Sequence, residues 1–158
     1  MVHNANNSTR RKFLATAGTG LAATLATAGS ASAADPTPAE KANMKIVSDF
    51  CASFSGDDVE KIMGFFADPC SYRVLETRDP IKGFAAVKEQ IGRLVKGAER
   101  FEVLDTFARG PMVFNERIDH FMPGGGIPLK SWHGVGVFFL KDGKIVEWQD
   151  FTIATTPA

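Results

Sequence analysis

Apolar side chains recur every three or four residues up to about position 97 and every second residue beyond it. Val47, Phe50, Cys51 and Phe54 mark a helix from Pro38 to Phe54, because residues three and four apart share a helix face. Ser55-Gly56 breaks that helix. Asp57 is placed to cap a second helix, with Glu60 three residues on as its capping-box partner. Val59, Ile62, Met63 and Phe66 form its apolar side, and Pro69 is expected to stop it. A short strand is predicted over Cys70–Leu75 and a turn over Thr77–Pro80. Phe84, Val87, Ile91, Leu94 and Val95 define a third amphipathic helix that ends near Gly97.

After Gly97 the period becomes two, and strands are predicted over Phe101–Arg109, Met112–Met122, Leu129–Leu140 and Ile145–Ala154. Pro123-Gly124-Gly125-Gly126 is a turn or loop, and Asp142-Gly143 is a two-residue hairpin turn. Three helices interrupted by one strand, then a meander of long strands, predict an α+β fold with the helices on one side of an antiparallel sheet. The hairpin turn also predicts a register. With Lys141 opposite Lys144, Val137 faces Trp148, Val135 faces Asp150 and His133 faces Thr152. His133, Val135, Val137, Trp148, Asp150 and Thr152 are then expected on one face.

The N-terminus changes how much of the 158-residue chain belongs to that fold. Ser8-Thr9-Arg10-Arg11-Lys12-Phe13-Leu14 reads as a twin-arginine export motif, and no charged residue follows until Asp35. Ala31-Ser32-Ala33 is a small-residue cleavage site. The intervening Gly, Ser and Thr residues make the segment too polar for a membrane anchor. The expected organisation is a signal over residues 1–33, a linker over 34–38 and one domain over 39–156. The expected destination is the periplasm or the medium, with the twin-arginine translocase as the partner during export. The full chain has 18 basic and 18 acidic residues. Loss of Arg10, Arg11 and Lys12 leaves a domain of about −3 charge, with no basic patch to recommend nucleic acid. Cys51 and Cys70 fit no metal motif and read as two small buried hydrophobes, although export makes a disulfide permissible.

Two strings then carry the candidate chemistry: Arg117-Ile118-Asp119 and Trp148-Gln149-Asp150. Residues two apart in a strand share a face, so Val113, Asn115, Arg117, Asp119 and Phe121 line one side of their strand. Asp150 arrives from another strand on a largely apolar face, where a carboxylate needs a partner. If the faces meet, two carboxylates flank one arginine, an arrangement that can keep one acid protonated and the other ionised. A solvated surface pair is the competing reading of Arg117 and Asp119 from spacing alone. His133 alone reads first as a hydrogen-bonded structural histidine, and Tyr72, the single tyrosine, reads equally as a packed aromatic.

Arg117-Ile118-Asp119, Gly136-Val137-Phe138, Gly143-Lys144-Ile145 and Trp148-Gln149-Asp150-Phe151 together resemble the limonene-1,2-epoxide hydrolase family. The resemblance implies the cone-shaped, curved antiparallel or mixed sheet packed on three N-terminal helices also seen in nuclear transport factor 2, ketosteroid isomerase and other SnoaL-like and cystatin-like proteins. It implies a catalytic trio of Asp119, Arg117 and Asp150 that adds water to a small apolar epoxide in one step, with no metal, no cofactor and no covalent intermediate. It further implies that Tyr72 helps to hold the water. Position 74 carries Val where the family uses Asn, so Asn115 and His133 are the candidates for the missing water contact. Val74, Trp148, Val135 and Phe121 are the expected pocket lining, and a homodimer is a possible assembly. A ketosteroid isomerase-like or polyketide-cyclase-like enzyme, and a non-catalytic small-ligand binder, are the alternatives on the same fold.

Overall fold

The computed structural model describes residues 35–123 and 125–153. The expected export segment lies outside the described residues. Helix α1 spans Pro38–Ser53, where Thr37 and Glu40 close a reciprocal capping box and Pro38 occupies the first turn. A single 3-10 turn, Phe54–Gly56, follows. Helix α2 is only Val59–Met63 and is capped by Asp58, which accepts from the Lys61 amide. The expected cap, Asp57, instead takes a left-handed backbone conformation and pairs with Arg100 at 2.9 Å. Helix α3 spans Phe84–Lys96 and ends at Gly97, as its apolar spacing predicts.

The strands are β1 (Phe66–Arg73), β2 (Ile81–Lys82), β3 (Glu99–Arg109), β4 (Met112–Phe121), β5 (Lys130–Lys141) and β6 (Lys144–Thr152). They form one sheet in the order β2-β1-β6-β5-β4-β3. Only β1 and β6 run parallel; the other neighbours are antiparallel. Strand β1 starts earlier than expected because Phe66 pairs with Ile145 rather than extending α2. Pro69 therefore sits inside a strand, after a cis bond from Asp68. The sheet tolerates it because the β1–β6 register breaks between Phe66 and Ser71, so no ladder bond is required of it. Val74, expected on the strand, lies just beyond its end.

The hairpin register departs from expectation in a way that matters for the site. Asp142 and Gly143 both have positive φ, as a two-residue turn demands, and Lys141 faces Lys144 as predicted. A bulge at Val146 then shifts the ladder by one residue. Phe138, not Val137, opposes Trp148, and Gly136, not Val135, opposes Asp150. The inner face of β5 is therefore Gly134, Gly136, Phe138 and Leu140, all buried, and His133, Val135 and Val137 turn outward. The outer face also carries Phe107 stacked on Phe114, with ring centroids 4.8 Å apart.

The helices cover the inner face. Phe50 of α1 is fully buried and meets Phe54, Phe65, Phe66, Phe138 and Trp148 edge-on, with centroids 5.1 to 6.0 Å apart. Burying such a ring contributes roughly 2–3 kcal/mol. Much of the chain's phenylalanine is thus spent in the core. Cys51 and Cys70 are buried free thiols.

Candidate active site

Strand β4 points Asn115, Arg117 and Asp119 inward, and β6 brings Asp150 to them from two strands away. Arg117 is 1 % exposed. Its Nε donates to Asp119 Oδ1 at 2.7 Å, and its Nη2 donates to Asp150 Oδ1 at 2.6 Å and to Asp119 Oδ2 at 3.3 Å. The guanidinium lies over the Phe101 ring at 4.7 Å and the Trp148 ring at 5.6 Å. Burial alone would disfavour its charge, but the two carboxylates outweigh that and hold it cationic. The space for this side chain comes from Gly136. A Cβ there would come within 2.7 Å of Phe138 Cε2 and closer still to Arg117 Nη1.

Asp150 receives two further donors. Trp148 Nε1 donates to Oδ1 at 2.7 Å, and Tyr72 Oη donates to Oδ2 at 2.9 Å. The Tyr72 and Trp148 rings stack at 3.8 Å, a contact made possible by the parallel pairing of β1 with β6. Burial raises the Asp150 carboxyl above its ordinary range, while Arg117, Tyr72 and Trp148 pull it back down. Burial also pushes Asp119 up, to about 6, against the pull of Arg117. Tyr72 is driven well above its usual value by burial and by Asp150, so it is a neutral hydrogen-bond donor.

These groups line a cavity of about 340 Å³ between the sheet, α3 and the segment after β1. Tyr72, Val74, Leu75, Leu94, Phe101, Phe121 and Trp132 form much of its wall, with Arg117, Asp119 and Asp150 at the base. A largely apolar cleft with a few convergent polar groups is the usual form of a small-molecule site. Among the described residues, no three His, Cys, Asp or Glu side chains are grouped to hold a metal ion.

Four of the expected positions differ. Trp148 is fully buried and does not line the cavity; it acts on it through its bond to Asp150 and its contacts with Tyr72 and Arg117. Asn115 is also fully buried, its amide donating to Thr106 Oγ1 at 2.8 Å and its carbonyl facing Cys51 Sγ at 3.5 Å. Both ends are committed below Arg117, so it has nothing to offer a water in the cavity. His133 Nε2 pairs with Glu116 Oε1 at 2.7 Å on the outer face. The bulge at Val146 is the reason: it turns His133 and Val135 to the outer face, although both residues still border the cavity.

Arg93, Trp132 and Glu99 also line the cavity, and no sequence pattern marked them. Glu99, the first residue of β3, is 8 % exposed and lines the cavity on the same face as Asp119. Burial, reinforced by Asp119, pushes its carboxyl up from 4.5 to about 7. The folded state therefore holds a proton that the unfolded chain releases as pH rises from about 4.5 to 7, so this group lowers stability across that window and fully above it. Glu99→Gln, uncharged throughout, is expected to unfold at higher denaturant than the wild type at pH 8. That advantage should vanish at pH 4. An equal gap at both pH values in urea titrations would contradict it.

The chain matches the SnoaL-like domain family over residues 47–148 and belongs to that family. Its fold is the nuclear transport factor 2-like α+β fold. It is similar to an LEH-like epoxide hydrolase of M. tuberculosis, with 22 % identity, 73 % of this chain and 86 % of that chain covered, and a TM-score of 0.61. It is also similar to SalBIII, an epoxide hydrolase/cyclase-like enzyme of pyran ring formation in polyether salinomycin, with 21 % identity, 72 % and 92 % coverage and a TM-score of 0.64. A putative ketosteroid isomerase from Kribbella flavida aligns with 18 % identity, 75 % and 83 % coverage and a TM-score of 0.62. At these identities the likeness establishes the fold, and the activities are those of the other proteins.

Proposed function

We propose that this protein is an exported, cofactor-independent epoxide hydrolase that adds water to a small epoxide to give a vicinal diol. The observation that carries the reading is Arg117 Nη2 bridging Asp119 and Asp150 at the base of an apolar cavity. Asp150 is the base. Its Oδ1 is occupied by Arg117 and Trp148, whereas Oδ2 holds only Tyr72 and has a free lone pair for a water proton. The water oxygen attacks one epoxide carbon, that carbon–oxygen bond breaks, and the released oxygen takes a proton from Asp119. Asp119 suits the acid role because, among the described residues, Arg117 is its only hydrogen-bond donor and its contact at Oδ2 is long, leaving that oxygen free to carry the proton. Asp150 ends protonated and Asp119 ionised, and exchange with solvent restores both.

The test is turnover of terpene, styrene and cyclohexene oxides by the exported domain across pH. Because Asp119 must hold a proton, kcat/KM should decline as pH rises through about 6, and because Asp150 must be ionised it should also decline in acid. No turnover, or a rate flat from about pH 5 to 9, would contradict the assignment.

A second reading is supported by Val74, which gives a nucleophilic water no polar partner beside Tyr72. An isomerase or cyclase that abstracts a proton next to a carbonyl needs no such water. Asp150-dependent deuterium exchange into a bound ketone, without epoxide opening, would favour it.

A further inference from the structure

The cavity holds one carboxyl more than epoxide opening uses. Glu99 stands opposite Phe121 in the β3–β4 ladder and diagonal to Asp119, which faces Phe101. Diagonal neighbours across such a ladder lie about 7 Å apart. The residue is more than nine-tenths buried and lines the cavity. Among the described residues its carboxyl has no hydrogen-bond or salt-bridge partner; Arg100 Nη1 reaches only the main-chain carbonyl, at 2.8 Å. Leu94, Phe101 and Phe121, which share the cavity wall with it, are hydrocarbon. Buried polar groups are ordinarily paired, and this carboxyl stands where a polar atom of a ligand in the cavity would pair with it. Near neutral pH this group spends much of its time as the acid, offering one O–H donor and one carbonyl acceptor.

We propose that Glu99 is a specificity-determining residue that hydrogen-bonds a hydroxyl or carbonyl oxygen of the ligand, carried on the far side of the molecule from the oxygen handled by Asp119. The preferred substrate class is then a hydroxy- or oxo-substituted alicyclic epoxide, over the bare hydrocarbon epoxide. The epoxide in that statement rests on the function proposed above; the second oxygen rests on Glu99 alone. A six-membered ring with oxygens at opposite ends is of the size the Glu99–Asp119 spacing admits. The anchor also gives a reason for retaining a polar group at this buried position: replacing it with an apolar side chain would leave the ligand's oxygen without a partner.

Two measurements test this. In the first, kcat/KM is compared for cyclohexene oxide and its 4-hydroxy and 4-oxo derivatives on the wild type, Glu99→Gln, Glu99→Leu and Glu99→Met. The wild type should prefer the oxygenated epoxides by about tenfold or more. Glu99→Gln, which keeps a donor and an acceptor, should retain a preference. Glu99→Leu and the more nearly isosteric Glu99→Met should bring the ratio to about one. In the second, cyclohexane-1,4-diol and cyclohexanol are titrated while following tryptophan fluorescence, since Trp132 lines the cavity. The diol should bind more tightly to the wild type and to Glu99→Gln only. No preference in the wild type, a preference surviving in Glu99→Leu or Glu99→Met, or one lost in Glu99→Gln overturns the anchor. A Glu99-dependent binding preference with no epoxide turned over would leave the anchor standing and remove the hydrolase reading. Epoxide turnover without preference would do the reverse.

Discussion

Asp150→Asn is expected to lower kcat for epoxide opening by roughly 10³-fold, within the usual worth of a positioned general base. The substitution is close to isosteric, and the amide oxygen can still accept from Trp148 and Arg117, which reach Oδ1 at 2.7 and 2.6 Å. The amide nitrogen would face Tyr72 Oη, which can turn from donor to acceptor. Arg117 keeps its charge partner in Asp119 at 2.7 Å, so no buried charge is stranded. The fold should therefore survive while the base is lost, and far-UV circular dichroism with a denaturant titration checks the first half of that statement. Turnover within a few-fold of the wild type would mean that Asp150 does not activate the water. Turnover lost only together with the fold would mean that the carboxylate is structural.

Gly136→Ala should damage the protein through packing. The glycine is on the inner face of β5, opposite Asn115 and Asp150 and against the Arg117 guanidinium. An added methyl would approach Phe138 Cε2 to 2.7 Å and Arg117 Nη1 more closely, well inside contact distance. Neither neighbour is free to retreat. Phe138 is fully buried between Trp148, on which it stacks at 5.6 Å, and the ring of Phe50, also at 5.6 Å. Arg117 is held by two carboxylates and two aromatic rings. Overpacking of this kind costs roughly 1–3 kcal/mol, and displacing Arg117 by about 1 Å could reduce kcat/KM by about 100-fold. Urea unfolding measures the first effect without reference to any activity. A variant as stable as the wild type, with unchanged turnover, would show that the site does not depend on this close approach.

Much of the architecture was legible because it is written in local periodicity. The apolar spacing of Val47, Phe50, Cys51 and Phe54 and of Phe84, Val87 and Ile91 specifies two helices wherever the chain ends up, and both occur. Elements of few residues were less legible. Helix α2 stops at Met63 and β1 starts at Phe66, because pairing with Ile145 outweighs the weak preference of a five-residue helix.

The site divides along the same line. That Arg117 and Asp119 share a face follows from β4 being a strand at all, since side chains alternate with a period of two. That Asp150 meets them depends on pairings between distant segments. One extra residue at Val146 slides the β5–β6 ladder, and a one-residue slide exchanges the two faces of β5. It moves His133, Val135 and Val137 outward and puts Gly134 and Gly136 where a guanidinium and a ligand need room. A bulge leaves no local composition signal; it is settled by which side chains fit, here Ile145 and Trp148, both buried though three residues apart. Glu99 lay beyond reach for the same reason. It begins a strand with nothing in its sequence neighbourhood to mark it, and only the pairing of β3 with β4 carries it to the side of Asp119. Alternation and helical spacing are properties of neighbouring residues and can be read along the chain; register and cavity are properties of packing, and only the folded sheet decides them.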